Sequence, residues 1–61
     1  MRERFVIRRG VLYLQNHPSL HHWTTNLDDA MKFEFMVIAD GTAIMELGLQ
    51  ITDYEVISVT E

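Results

Sequence analysis

The absence of cysteine is the feature that most constrains how this 61-residue chain can fold. A domain of this size buries only about 60% of the surface that its unfolded chain exposes, so a lone core is marginal. Small domains commonly add disulfides, a metal or a partner subunit. Without cysteine, disulfides and thiolate zinc sites are excluded. We therefore expect a single small domain, residues 1–61, held by a modest core or by a partner.

The first fifteen residues carry the pattern of a β-hairpin. Residues 4–9 have apolar side chains at their centre, Gly10 allows a turn, and residues 11–15 have the pattern of a second strand. Residues 53–60 alternate in the same way and predict a final strand. We expect these strands to form one small antiparallel sheet.

Each predicted strand carries apolar side chains on both of its faces. In the first strand, Phe5 and Ile7 point to one side and Val6 to the other. An antiparallel sheet with one solvated face normally alternates apolar and polar residues, and one helix covers only one face. We therefore expect the second face to be covered by another copy of the chain in a homodimer, or by a partner.

The segment 33–50 fits two structures. Asp40-Gly41 between two apolar runs is a strong signal for a hairpin. The alternative is a helix whose apolar stripe contains Met36, Ala39, Ala43 and Leu47. Gly48 would then be the residue that ends the helix, with Leu49 as its hydrophobic contact. We favour the helix because it explains Gly48, although Gly41 inside it costs about 1 kcal/mol relative to alanine.

A helix start is predicted near Thr25. Thr25 followed three residues later by Asp28 resembles a capping box, and residues 20–24 predict a short extended piece leading to it. We expect an extra one-turn helix at 26–32. The predicted fold class is α+β, with a small antiparallel sheet and one helix packed across it in the order β-β-α-β.

The net charge of −4 is unevenly distributed. Four arginines lie in the first ten residues, whereas nearly all the carboxylates follow. Direct nucleic-acid binding is not expected, because it needs cations to neutralise phosphates. We expect the arginines to pair with carboxylates on a neighbouring strand, with a small basic strip as the alternative. No apolar run approaches the ~20 residues of a membrane span, so we expect no membrane association.

Candidate chemistry is sparse. His17, His21 and His22 form the one cluster of metal-like composition, but Pro18 prevents the helix that would align them. Asp28 and Asp29 are adjacent, and adjacent residues point to different sides of a helix. We expect no catalytic, cofactor-binding or metal-binding residue, and an enzyme is not expected.

Aromatic and methionine side chains offer candidate contacts. Trp23 either closes the open edge of the core or contributes to an aromatic recognition patch. At least two of Met31, Met36 and Met45 are expected to fill the core, with an adaptable binding surface as the alternative. The residues that we expect to contact a partner are Arg8, Tyr13, Trp23, Asp53 and Glu55.

Taken in order, several short motifs resemble those of small uncharacterised proteins of tailed bacteriophages. The motifs are Phe5-Val6-Ile7, Gly10, Tyr13-Leu14, Trp23-Thr24, residues 27–33, Ala39, Ala43, Leu47-Gly48-Leu49 and residues 54–59. The resemblance implies a hairpin, a Trp-Thr turn, a short helix and a last strand. It also implies a phage origin, and it transfers no catalytic residue.

These observations together predict a non-enzymatic phage accessory protein. We expect it to act in the host bacterial cytoplasm by binding a host protein and altering its activity. One alternative is an acidic DNA mimic that inhibits a nucleic-acid-binding enzyme through Asp28, Asp29, Asp53 and Glu55. The other is a self-associating structural module.

Overall fold

The structure, a computed structural model, describes residues 2–15 and 22–61. Its elements are β1 (Glu3–Arg9), β2 (Leu12–Gln15), β3 (His22–Thr24), a 3₁₀ turn (Leu27–Asp29), helix α1 (Met36–Gly41) continued by a π-helical segment (Thr42–Glu46), and β4 (Glu55–Thr60). The α+β class with one helix is confirmed. The predicted extended piece before residue 25 is β3, which adds a fourth strand to the sheet.

The sheet is antiparallel throughout, in the order β3-β2-β1-β4. β1 and β4 pair along their whole length, from Glu3 opposite Thr60 to Arg8 opposite Glu55. β1 and β2 are joined by a two-residue turn in which Gly10 has φ of +60°. That value suits the first central position of a type II′ hairpin turn, where glycine is preferred.

A segment from the middle of the chain continues the sheet where β2 ends. Ala30 bridges Gln15, and the Met31 N–H donates to the Leu14 carbonyl at 2.8 Å. Phe33 and Phe5 then exchange two backbone hydrogen bonds, each of 2.8 Å. Beyond the end of β2, this segment therefore takes over the pairing with β1. It then leads directly into α1.

The helix packs across one face of the sheet through alanine. Ala39 and Ala43 are fully buried, and no other residue of the helix is. The core around them consists of Ile7, Leu14, Phe33, Ala39, Ala43 and Tyr54. Small side chains let the helix backbone lie close to the sheet. The helix, not the hairpin around Asp40-Gly41, is confirmed.

The C-terminal half of the helix is wider than an α-helix. The Leu47 N–H donates to the Thr42 carbonyl at 3.1 Å, five residues back. Gly48 has φ of +67°, and the Leu49 N–H then reaches the Ala43 carbonyl at 3.0 Å. Leu49 packs against the core. The predicted roles of Gly48 and Leu49 are confirmed, and the π-helical turn makes the closing loop one residue longer than in a Schellman motif.

The predicted cap at Thr25 is wrong by one residue. Asn26 is the N-cap, and its Oδ1 accepts from the Asp28 N–H at 3.0 Å. The Thr24 hydroxyl accepts from the Asn26 N–H at 3.1 Å. An Asn side chain that bonds the backbone two residues on favours a tight turn, which is why the element is a 3₁₀ turn and not a full α-helical turn.

Candidate functional site

The outer side of the helix is apolar. Seven large apolar residues here are between 43% and 83% exposed, and we call them the apolar surface: Phe35, Met36, Val37, Ile38, Ile44, Met45 and Ile51. A helix that buries only two alanines while its larger apolar side chains are exposed has an apolar side that the rest of the chain does not cover. The prediction that at least two of the three candidate methionines fill the core is wrong, because only Met31 packs against it.

Gly41 lies in the middle of the apolar surface. Val37 and Met45 lie four residues before and after it, on the same side of the helix. Gly41 has helical dihedral angles, φ −61° and ψ −40°, and a Cβ atom there would meet nothing within 4 Å. The fold of the chain therefore does not require glycine at this position. What the glycine does provide is bare backbone at the centre of an apolar surface.

A pocket of about 490 Å³ adjoins the apolar surface. Its lining residues are Met36, Val37, Asp40, Ile51, Tyr54 and Val56. Asp40 is its one carboxylate, and the Tyr54 hydroxyl donates a hydrogen bond to Asp40 Oδ1. That hydrogen bond, with burial and the neighbouring negative charge, raises the pKa of Tyr54 to about 12. The phenol therefore stays protonated and continues to donate to the carboxylate at neutral pH.

Three of the four arginines pair with carboxylates, and Arg8 does so with a neighbouring strand as the sequence predicts. Arg8 lies 2.6 Å from Glu55, directly across the β1–β4 pair. Arg4 lies 3.0 Å from Glu34 and 3.3 Å from Glu61, and Arg2 also reaches Glu34 at 3.2 Å. The Arg4 contact to Glu61 is an ion pair at Nε without hydrogen-bond geometry, since Nε has no hydrogen-bond acceptor among the described residues.

The two remaining cations are also engaged. Lys32 Nζ donates to the carbonyls of Leu27 and Ala30, both at 3.0 Å. The Arg9 guanidinium lies 5.3 Å from the centroid of the Trp23 ring. Within residues 2–15 and 22–61, no Lys, Arg or His lies within ion-pair distance of Asp40.

Four of the five predicted contact residues lie at one end of β1 and β4. Arg8, Asp53 and Glu55 line a small polar pocket of about 130 Å³, and Tyr13 lies opposite Arg8 on β2. Two of these carboxylates have partners inside the fold: Glu55 pairs with Arg8, and Asp53 Oδ2 accepts from the Gln50 N–H at 3.2 Å. Arg8, Asp53 and Glu55 are therefore already engaged in contacts within the chain.

Trp23, the fifth, lies on the other face of the sheet. It pairs with Leu14 across β2–β3 and packs against the core from the edge strand. The interpretation that it closes the open edge of the core is confirmed.

The second sheet face is partly covered by the chain itself. Val6 points to this face and is fully buried, while Ile57 and Val59 are partly buried. The side chain of Arg4 is only 15% exposed, and arginine stems cover apolar surface well. A homodimer through this face stays a prediction. The large exposed apolar residues lie mainly on the helix side instead.

The apolar surface was not predicted, although the sequence contains a signal for it. Phe35-Met36-Val37-Ile38 places four consecutive apolar residues around one helical turn, so a helix there has no fully polar side. Helical spacing predicts that Met36 belongs to the stripe facing the core. The structure gives that place to Ala39 and Ala43.

The other candidate groups contribute no cluster. His17 and His21 lie outside the described residues, and His22 is exposed at the start of β3. In the described part of the chain, no group of three or more His, Cys, Asp or Glu side chains is arranged to hold a metal ion. No helix in that part is long and apolar enough to cross a membrane.

Comparison of the chain with models of protein families, with curated proteins and with solved structures finds no match. The geometry above is therefore what a functional proposal rests on.

Proposed function

We propose that this chain is a non-enzymatic phage accessory protein that binds a host protein in the bacterial cytoplasm and alters that protein's activity through the apolar surface. The single observation that carries the proposal is the exposure of seven large apolar side chains around one short helix. Monomeric proteins rarely expose contiguous apolar patches beyond about 300–600 Å². A standard protein–protein interface covers about 800 Å² per partner and is centred on apolar side chains of this kind.

A protein partner agrees better with the charges than a membrane or a nucleic acid does. Helices that lie in a membrane interface carry Lys and Arg on their polar side. Residues 36–46 contain no Lys or Arg, and their ionisable side chains are Asp40 and Glu46. The net charge of −4 likewise opposes binding to anionic lipid or phosphate.

The DNA-mimic alternative has less support. A DNA mimic needs neighbouring carboxylates that are exposed and free of internal partners, so that they can take the place of DNA phosphates. Asp53 accepts a hydrogen bond from the Gln50 backbone, and Glu55 is paired with Arg8. Asp28 and Asp29 belong to a separate 3₁₀ turn.

A pull-down with a matched pair of variants tests the proposal. Tagged wild type, Val37→Asp and Val11→Asp are incubated with nuclease-treated bacterial lysate, and captured proteins are identified by mass spectrometry. Val37 and Val11 are equally exposed, at 76% and 77%, but Val11 lies in the hairpin turn outside the apolar surface. We expect wild type and Val11→Asp to capture the same host protein in stoichiometric amount, and Val37→Asp to capture at least tenfold less.

Two results would contradict the proposal. One is equal capture by all three proteins, which would place the contact elsewhere. The other is recovery of only further copies of the chain, with a multimeric native mass, which would identify a self-associating module. The effect on the host protein is then measured by assaying its activity with wild type and with Val37→Asp.

A further inference from the structure

Asp40 is a carboxylate in an apolar pocket, and no positive side chain in residues 2–15 and 22–61 pairs with it. It is half-buried, and five of the six residues that line the pocket are uncharged at neutral pH. Only Oδ1 is engaged, by the Tyr54 hydroxyl. A carboxylate accepts about four hydrogen bonds, so Asp40 retains most of its capacity.

The five Lys and Arg side chains of the chain all have contacts away from Asp40. Arg2, Arg4 and Arg8 are paired with carboxylates, and Lys32 is bonded to carbonyls. Arg9 lies against Trp23. A second copy seated on the apolar surface would have to give up one of these contacts to place a Lys or Arg on Asp40, whereas a different protein would not.

The residues that line the pocket indicate which kind of side chain it can bind. Met36, Ile51 and Val56 form an apolar wall. Asp40 contributes one negative charge beside the Tyr54 hydroxyl. Lysine and arginine combine a long apolar stem with a charged head. Burying such a cation against an apolar wall needs a carboxylate partner, which Asp40 provides.

We infer that the pocket receives a lysine or arginine side chain of the bound protein, with the stem against Met36, Ile51 and Val56 and the charged head on Asp40. The inference rests on the proposed function, because it names the residue type by which the partner is anchored beside the apolar surface. Anchoring side chains of this kind carry much of the binding energy in protein interfaces.

Selection from a library of random displayed peptides, with immobilised wild type as the target, tests the inference. We expect the selected peptides to carry a Lys or Arg flanked by apolar residues. Replacing that residue by norleucine should weaken binding to wild type at least tenfold and change binding to Asp40→Asn much less. Such a coupling corresponds to about 1.4 kcal/mol. Asn keeps an oxygen acceptor for the Tyr54 hydroxyl, so the fold should persist.

The matched control is Asp29→Asn, which removes the same charge from the 3₁₀ turn and does not line the pocket. It should bind the peptides as wild type does. Selected peptides without a basic residue, or equal affinity for wild type and Asp40→Asn, would overturn the inference.

The design separates the two proposals. If Met45→Asp, which changes the apolar surface outside the pocket, abolishes peptide binding while Asp40→Asn leaves it unchanged, the apolar surface is the contact but the basic anchor is wrong. If neither variant weakens binding, both proposals fail.

Discussion

The hydrogen bond from Tyr54 to Asp40 joins the residue before β4 to the last turn of helix α1. Sequence patterns predict that arginines of the first strand pair with carboxylates of a neighbouring strand, and Arg8–Glu55 is such a pair. They do not indicate the Tyr54–Asp40 contact, because it depends on how the helix crosses the sheet. The raised pKa of Tyr54 makes this contact measurable.

The contribution of Tyr54 to stability should depend on pH in the alkaline range. The pKa in the folded protein, about 12, lies above the ordinary value of 10.0. The stabilisation is therefore fully present below pH 10 and is lost as the pH rises through 12. We expect the free energy of unfolding of wild type to fall toward that of Tyr54→Phe over this window, in urea titrations at a series of pH values. A difference that does not change with pH would contradict the expectation.

The helix contains two features that are locally unfavourable. Glycine in a helix interior costs about 1 kcal/mol relative to alanine, and the π-helical turn that follows is a rare geometry. A Cβ at Gly41 would meet nothing within 4 Å, so packing of the helix on the sheet does not require the glycine. Both features lie next to the apolar surface. Departures from the most stable local structure are common at functional sites, which agrees with a role of this surface in binding.

Two alanine substitutions separate the roles of the helix glycines. A Cβ at Gly41 or at Gly48 meets nothing within 4 Å, but only Gly48 has a positive φ, +67°. Gly41→Ala should raise the free energy of unfolding by about 0.5–1 kcal/mol. Gly48→Ala should lower it by about 1–2 kcal/mol. Urea unfolding of both variants measures the two free-energy changes, and changes of the same sign would contradict the expectation.

We also expect Gly41→Ala to weaken partner binding, because the added methyl group covers backbone that is bare in the apolar surface.

For the molecule as a whole, the core is small and most of the helix lies outside it. A chain of 61 residues has an unfolding free energy on the order of 3–9 kcal/mol. Three large side chains, Val6, Ile7 and Leu14, are fully buried in the described part of the chain. Single changes in this group therefore remove a large part of the total.

Matched isoleucine substitutions test this distribution. Ile7 is fully buried, whereas Ile38 is 52% exposed on the apolar surface. Ile7→Ala should cost about 2–5 kcal/mol and leave much of the protein unfolded at room temperature. Ile38→Ala should cost no more than about 1 kcal/mol. Circular dichroism during thermal unfolding distinguishes them, and similar losses in both variants would mean that the outer helix side is part of the core.

The sequence predicts the strands well and the binding surface poorly, for physical reasons. Strand alternation and Gly10 are local signals, so β1, β2 and β4 are found within a residue or two. The helix end is found because Gly48 must adopt a positive φ. Which side of an apolar helix meets the sheet is decided by packing distance, and the small Ala39 and Ala43 take that place over the larger Met36 and Val37. Spacing alone does not rank those alternatives.

The pairing of β1 with β4 also determines what happens during synthesis. β1 leaves the ribosome early, and the edge that β4 will occupy stays open until residues 55–60 have followed. An open strand edge is a template for pairing with other chains. A released chain that lacks β4 therefore presents this open edge together with the apolar surface of the helix, and both features favour association of partly folded chains.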